Sequence, residues 1–241
     1  PYGDLNPRIV VLVATVRALK YHAGVAVEEL NTPNSRVAVL GMANLRKHYE
    51  NIDKFNVPCV IALNRFPSDT DEEIKAVIQA AEDEGMNIAP VEIFSRGGEG
   101  GLELAEKVVK MIGSANGKYR SLYRWDMPVE DKIFTVASEI YGAVSVDYQP
   151  VAKRNLELIK QFGFAKLPVC IAKTQQSLSD NPNLLGLPRD FIVTVREVKI
   201  ASGAGFLIPI TGEILRMPGL AKTPAAYRID IDDHGNISGI S

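Results

Sequence analysis

The chain has 241 residues, 46% of them hydrophobic and 23% charged, with a formal net charge of −2 at pH 7. This is the composition of a globular chain long enough for one large or two modest domains. The charge balance, with no Lys/Arg block interleaved with aromatics, argues against a nucleic-acid partner.

No apolar run approaches the length of a membrane-spanning helix, and the sequence shows no signal-peptide pattern, so the cytoplasm is the expected compartment. The two cysteines, Cys59 and Cys170, each lie in an apolar run and are expected to be buried, reduced thiols. His22, His48 and His234 have no carboxylate or cysteine companions at metal-ligand spacing, so no metal site is expected from these residues.

The chain opens Pro1-Tyr2-Gly3-Asp4 without a methionine, as expected of a piece of a longer protein. Residues 9–15 read as a strand buried on both faces of a sheet, and the cations Arg17 and Lys20 follow close to its end. Such cations can meet a phosphate, although isolated surface Lys and Arg more often pair with carboxylates. Residues 31–35 are turn-rich. Residues 37–51 carry helical spacing at Val39, Leu40, Ala43 and Leu45.

Residues 57–70, V-P-C-V-I-A-L-N-R-F-P-S-D-T, are the stretch around which the rest is organised. Cys59 to Leu63 is a second doubly buried strand. In open parallel sheets ligands bind beyond the carboxyl ends of the strands, which puts Asn64, Arg65, Phe66 and Asp69 where a substrate would sit. Phe66, held by Pro67, suits stacking on a flat ring; a hydrophobic plug is the equal alternative, with Asp69-Thr70 a helix N-cap. The guanine-reading N-K-x-D pattern is excluded because Pro67 occupies the acid's position.

Residues 71–85 predict a helix with Ile74, Val77, Ile78 and Ala81 on one face and acids in its first turn. A third strand is expected over 88–94, then a glycine-rich turn, Ser95-Arg96-Gly97-Gly98-Glu99-Gly100-Gly101, and a helix over 102–112. On this reading Phe94 ends its strand as Phe66 follows its own, so that the two rings can flank one ligand. Residues 113–127 lose periodicity and are expected to form a subdomain junction.

Helices are expected over 129–141 and 151–162, stopped by Gly142 and Gly163, with a buried strand over 168–172. The polar run 173–180, which begins at Lys173, is either a capped surface loop or a binding loop. Residues 191–200 and 206–210 read as strands, and 228–235 as part of a terminal hairpin.

Several motifs carry a family resemblance: V-A-T-V-R-A-L-K-Y-H-A-G at 13–24, N-R-F-P-S-D-T at 64–70 and G-G-E-G-G at 97–101. P-V-C-I-A-K-T-Q at 168–175, T-V-R-E-V at 194–198, S-G-A-G-F at 202–206 and M-P-G-L at 217–220 continue it. In this order and over this length the chain resembles the C-terminal part of formate–tetrahydrofolate ligase. It departs from the family at Ala23, usually glycine, and at Phe94, usually tryptophan. The family's ATP-phosphate loop has no counterpart, since G-x-x-x-x-G-K-[ST] does not occur.

The resemblance implies an α/β fold: a mostly parallel sheet with flanking helices, P-loop-NTPase-like, plus a smaller C-terminal α/β domain. The implied division is 1–50 as the end of a nucleotide-binding domain, 51–127 as a folate-side subdomain and 128–241 as the C-terminal domain. It implies formation of 10-formyltetrahydrofolate from formate, ATP and tetrahydrofolate through formyl phosphate, with Mg²⁺, a monovalent cation and a homotetramer.

Phe66, Pro67, Phe94, Gly97 and Gly98 match the family's pterin slot. Asn64, Asp69, Arg17, Lys20 and Lys173 are candidates for phosphate or other polar contacts, and Arg196 is a further cation of the same kind. No catalytic residue is assigned. The rival expectation is a non-catalytic folate- or nucleotide-binding module, and on either reading this segment alone is expected to be inactive.

Overall fold

A computed structural model describes residues 5–114, 118–212, 222–235 and 237–239. The two early apolar runs become parallel strands, β1 (Val10–Ala14) and β2 (Cys59–Asn64), and β2 pairs in parallel with β3 (Ile88–Val91). Parallel neighbours need crossovers. Helices α1 (Val16–His22), α2 (Ser35–Leu40) and α3 (Met42–Asp53) supply the first, and α4 (Asp71–Asp83) the second. After β3 come a single turn, α5 (Ile93–Arg96), and α6 (Leu102–Ser114).

Residues on both sides of position 50 share one sheet and one core, in which Val16, Leu19, Met42 and Leu45 pack with Ile61, Leu63, Val77 and Ile88. The helix expected over 37–51 is two helices meeting at Gly41. A Cβ there would lie 1.9 Å from the Leu19 carbonyl oxygen, so only glycine allows this approach to α1.

The expectation that β1 is buried on both faces fails. Leu12 and Ala14 face the core, but Val11 and Val13, on the opposite face of the strand, are 40% and 65% exposed, because no core residue among those described packs over that face. β3 is shorter than expected: the chain leaves it after Val91 and enters α5, so Phe94 sits on a helical turn and not at a strand end.

The second half builds its own core. Strand β4 (Ser145–Tyr148) runs parallel to β5 (Ile192–Ala201), and β5 antiparallel to β6 (Phe206–Thr211). Against them pack α7 (Val129–Thr135), which continues as a π-helical turn over Val136–Tyr141, and α8 (Pro150–Gln161). Val129, Ile133, Leu156, Ile159, Val195 and Leu207 form the core. A short hairpin pairs β7 (Asp230–Ile231) with β8 (Ile237–Ser238). Among the described residues the fold is thus mixed α/β, with one wholly parallel sheet, one mixed sheet and the two-stranded antiparallel hairpin.

β4 was not foreseen: its residues, Ser-Val-Asp-Tyr, are half polar and carry no apolar run. The strand expected over 168–172 is only a run of bridges beside β6, with Val169 opposite Leu207 and Ala172 opposite Ile210. Its residues are half-buried, and Cys170 is exposed, contrary to expectation, whereas Cys59 is buried in β2.

The expected junction over 113–127 lies partly outside the described residues. From Lys118 onward it is pinned to both halves: Arg120 N–H bonds to the Phe55 carbonyl, Tyr119 stacks on Phe55 with ring centroids 6.0 Å apart, and Tyr123 bonds to the backbone of Val169.

One buried ion pair ties the first half together. Lys20, on α1, pairs with Glu73, on α4, and the two are only 2% and 1% exposed. Lys20 Nζ also donates to the carbonyls of Leu30 and Thr32, at 3.1 and 2.9 Å. Glu73 accepts from Asn34 N–H at 2.8 Å and from the N–H and hydroxyl of Thr70, closing a capping box with the α4 N-cap.

Burial opposes ionisation of Glu73, but the Lys20 ammonium, the two N–H groups and the hydroxyl outweigh it and hold the carboxyl at about 2. Above the ordinary 4.5 the carboxylate is ionised whether folded or not, and its native contacts count in full. As pH falls from 4.5 toward 2 the unfolded chain takes up the proton first, and this stability is lost.

Glu73→Gln is therefore expected to cost about 3–5 kcal/mol near neutral pH, because it strands a buried ammonium. In urea unfolding the gap between wild type and variant should narrow progressively below pH 4.5. A gap independent of pH would contradict the assignment.

Candidate functional site

β2 and β3 end side by side, with Asn64 in register with Val91, and both chains leave at the same carboxyl edge of the parallel sheet. Arg65 N–H continues the ladder by one bond, to the Val91 carbonyl at 2.9 Å. The next four residues form a tight turn: Asp69 N–H bonds back to the Phe66 carbonyl at 3.0 Å, with Pro67 presetting the first corner. Asp69 Oδ2 in return accepts from Phe66 N–H at 2.9 Å.

Asp69 is buried, and burial raises its carboxyl above the usual range, opposed by the Phe66 N–H bond and supported by the nearby Glu73 charge. Its oxygen holds the turn, which gives this candidate contact residue an internal role. The consequence is a fixed platform for Phe66, which is 46% exposed. Phe66 is no core plug.

On the neighbouring loop, Glu92 N–H bonds to the Gly100 carbonyl at 2.9 Å, and the Glu92 carbonyl accepts from Arg96 N–H and the Ser95 hydroxyl. This closes α5 onto the Gly97–Gly101 3₁₀ turn. Two glycines are needed there. Gly97 has φ +59°, and a Cβ on Gly100 would fall 2.4 Å from the Glu92 carbonyl oxygen. At Gly98 an added Cβ meets nothing within 4 Å, so packing does not demand that glycine. Phe94 projects from this turn 94% exposed.

The structure thus brings Asn64, Phe66, Pro67, Phe94, Gly97 and Gly98 to two adjacent loops at one sheet edge. The other candidates lie differently. Lys20 directs its ammonium into the buried pair with Glu73, so its position after β1 does not offer a cation to a ligand. Arg17 is exposed and donates to Asn31 Oδ1 at 2.8 Å.

Lys173 lies 4.9 Å from the centroid of the Tyr141 ring, bonds to the carbonyls of Thr174 and Ser177, and is lowered by burial to about 8. It belongs to the second half. Arg196 bonds to the Gly212 carbonyl and borders a cleft of about 440 Å³ on the β5–β6 sheet, also in the second half. Among the described residues, no three His, Cys, Asp or Glu side chains converge to hold a metal ion.

Sequence reasoning missed Glu92, which organises the Phe94 loop; an acid following a strand carries no special signal. It also missed Lys132, fully buried beneath the carbonyls of Ala165 and Leu167.

The model of the formate–tetrahydrofolate ligase family matches residues 1–241, the whole chain. This chain belongs to that family. It is 78% identical over 240 residues to the formate–tetrahydrofolate ligase of Syntrophus aciditrophicus (strain SB), a match that covers 100% of this chain and 42% of that ligase. The chain therefore spans less than half the length of that relative.

Phe94 is 94% exposed, and that exposure leaves room for the larger indole of tryptophan, the residue expected there from the resemblance. Phe94→Trp is expected to change stability by less than about 0.5 kcal/mol. A melting-temperature drop of several degrees would mean that the ring packs against the protein after all.

Proposed function

We propose that this chain is the folate-side portion of an ATP-dependent ligase that joins formate to tetrahydrofolate, through formyl phosphate, to give 10-formyltetrahydrofolate, ADP and phosphate. The observation that carries this reading is the pair of exposed aromatics, Phe66 and Phe94, on adjacent loops at the carboxyl edge of a parallel sheet. Exposed rings held on closed turns are costly to leave in water and cheap to stack on a ligand, because their backbones are already ordered. A pterin is flat and fits between two such rings, each contributing about 0.5–1.5 kcal/mol beyond burial.

In this reading Pro67 and the Gly97–Gly98 turn shape the slot, and the residues around 51–127 hold the folate while a P-loop-like part of the complete protein holds the nucleotide. Formate resists attack because its carboxylate is negatively charged and has a poor leaving group; phosphorylation remedies both. The task left to the folate side is positioning: to hold N10 against the formyl carbon and keep water away.

In this proposal ATP with Mg²⁺ is held mostly by a part of the complete protein that carries the phosphate loop, since G-x-x-x-x-G-K-[ST] does not occur in these 241 residues, and a monovalent cation serves the complete enzyme. A cytoplasmic homotetramer is part of the same proposal, with 128–241 as its C-terminal domain.

The test uses the complete enzyme. Phe66→Ala should raise the tetrahydrofolate KM by about 2- to 12-fold, the equivalent of the stacking energy, and leave the ATP KM unchanged. Unchanged folate KM in both Phe66→Ala and Phe94→Ala would reject the slot and favour a non-catalytic assembly role.

The 241-residue chain alone should form no formyl hydroxamate from ATP and formate in the presence of hydroxylamine. Hydroxamate from this chain would place the phosphate chemistry within it and overturn the division of labour.

A further inference from the structure

Arg65 lies between the two aromatic loops, and its guanidinium joins them. Nη1 meets Glu92 Oε1 at 3.2 Å, and Nη2 meets Asp71 Oδ1 at 2.6 Å. Asp71 is the first residue of α4, immediately after the Phe66–Asp69 turn and its Thr70 cap. Glu92 is the residue whose backbone closes the loop carrying Phe94, through Gly100 and Arg96, and its Oε2 also lies 3.7 Å from Arg96 Nη1. One planar side chain therefore grips both loops at their roots, while its own N–H is fixed to the Val91 carbonyl.

We propose that Arg65 is a positioning residue that sets the separation and tilt of Phe66 relative to Phe94, and so the fit of the folate ring. The proposal rests on the reading of these aromatics as the pterin slot. Arg65 acts on the ligand only through the loops, because its charge faces Glu92 and Asp71.

Lysine cannot replace it fully, since a single ammonium lacks the two-pronged fork that reaches both carboxylates in fixed directions. The pairs are partly exposed, with Arg65 at 32%, Glu92 at 29% and Asp71 at 70%, so their removal should disturb geometry more than stability.

The experiment is steady-state kinetics and thermal melting of the complete ligase carrying Arg65→Ala, Arg65→Lys, Glu92→Gln and Phe66→Ala. Arg65→Ala is expected to raise the tetrahydrofolate KM about tenfold, with the ATP and formate KM values within about twofold and the melting temperature nearly unchanged. Arg65→Lys should recover part of the loss, and Glu92→Gln should also raise the folate KM, since it takes the charge out of the same tie and weakens it from the other end.

A Glu92→Gln enzyme with unchanged or lower folate KM beside a damaged Arg65→Ala enzyme would mean that Arg65 touches the ligand directly, and overturns the positioning role. A similar rise in all three KM values together with a lower melting temperature would make Arg65 a general structural residue, and also overturns it. If Phe66→Ala raises the folate KM while Arg65→Ala does not, this inference fails and the slot stands; if neither does, and Phe94→Ala leaves it unchanged as well, the slot itself fails.

Discussion

The Lys20–Glu73 pair is the constraint on which the first half of the molecule depends. Two charges taken out of water are tolerable only when geometry and further hydrogen bonds replace the lost hydration. Here the carbonyls of Leu30 and Thr32 complete the ammonium, and the Asn34 and Thr70 donors complete the carboxylate. Satisfying one pair thereby fixes α1, the turn through 30–34 and the first turn of α4 in a single arrangement. Such a network contributes definition more than net stability, because an apolar pair of the same volume would pack there with little loss.

That definition is passed to the sheet edge. α4 cannot shift without breaking its capping box, so the Phe66–Asp69 turn before it is held from behind by Glu73 and from within by the Asp69 carboxylate. The neighbouring loop achieves the same rigidity by a different device, the close passage of Gly100 beneath the Glu92 carbonyl. Both loops are thus ordered by contacts within the chain itself, and each holds its exposed ring on a closed turn.

Much of this arrangement was legible in the residues. The unbroken run from Cys59 to Leu63 suited a strand covered on both faces, and Asp69-Thr70 followed by acids in the next turn suited a helix start. What could not be read was pairing over distance. Lys20 and Glu73 are each ordinary surface residue types, and nothing local says that one lysine is to be buried against one glutamate far along the chain.

The same blindness misjudged β1, whose apolar run resembles that of β2 although one face lacks cover, and Cys170, whose run borders a sheet without entering it. Phe94 shows a finer limit. The strand pattern simply continues through Ile93, and the helical turn there depends on glycines further along whose tight approach is visible only in three dimensions.

The contrast between the two thiols gives the molecule an internal clock. Cys59 opens β2, is only 4% exposed, and burial pushes its thiol up to about 12, whereas Cys170 stands open to solvent. A thiol-directed reagent therefore has access to Cys170 in the folded chain but to Cys59 only when the parallel sheet comes apart. Once Cys170 is blocked, the rate of modification at Cys59 counts opening events of the same sheet that presents Phe66, with no change to the sequence.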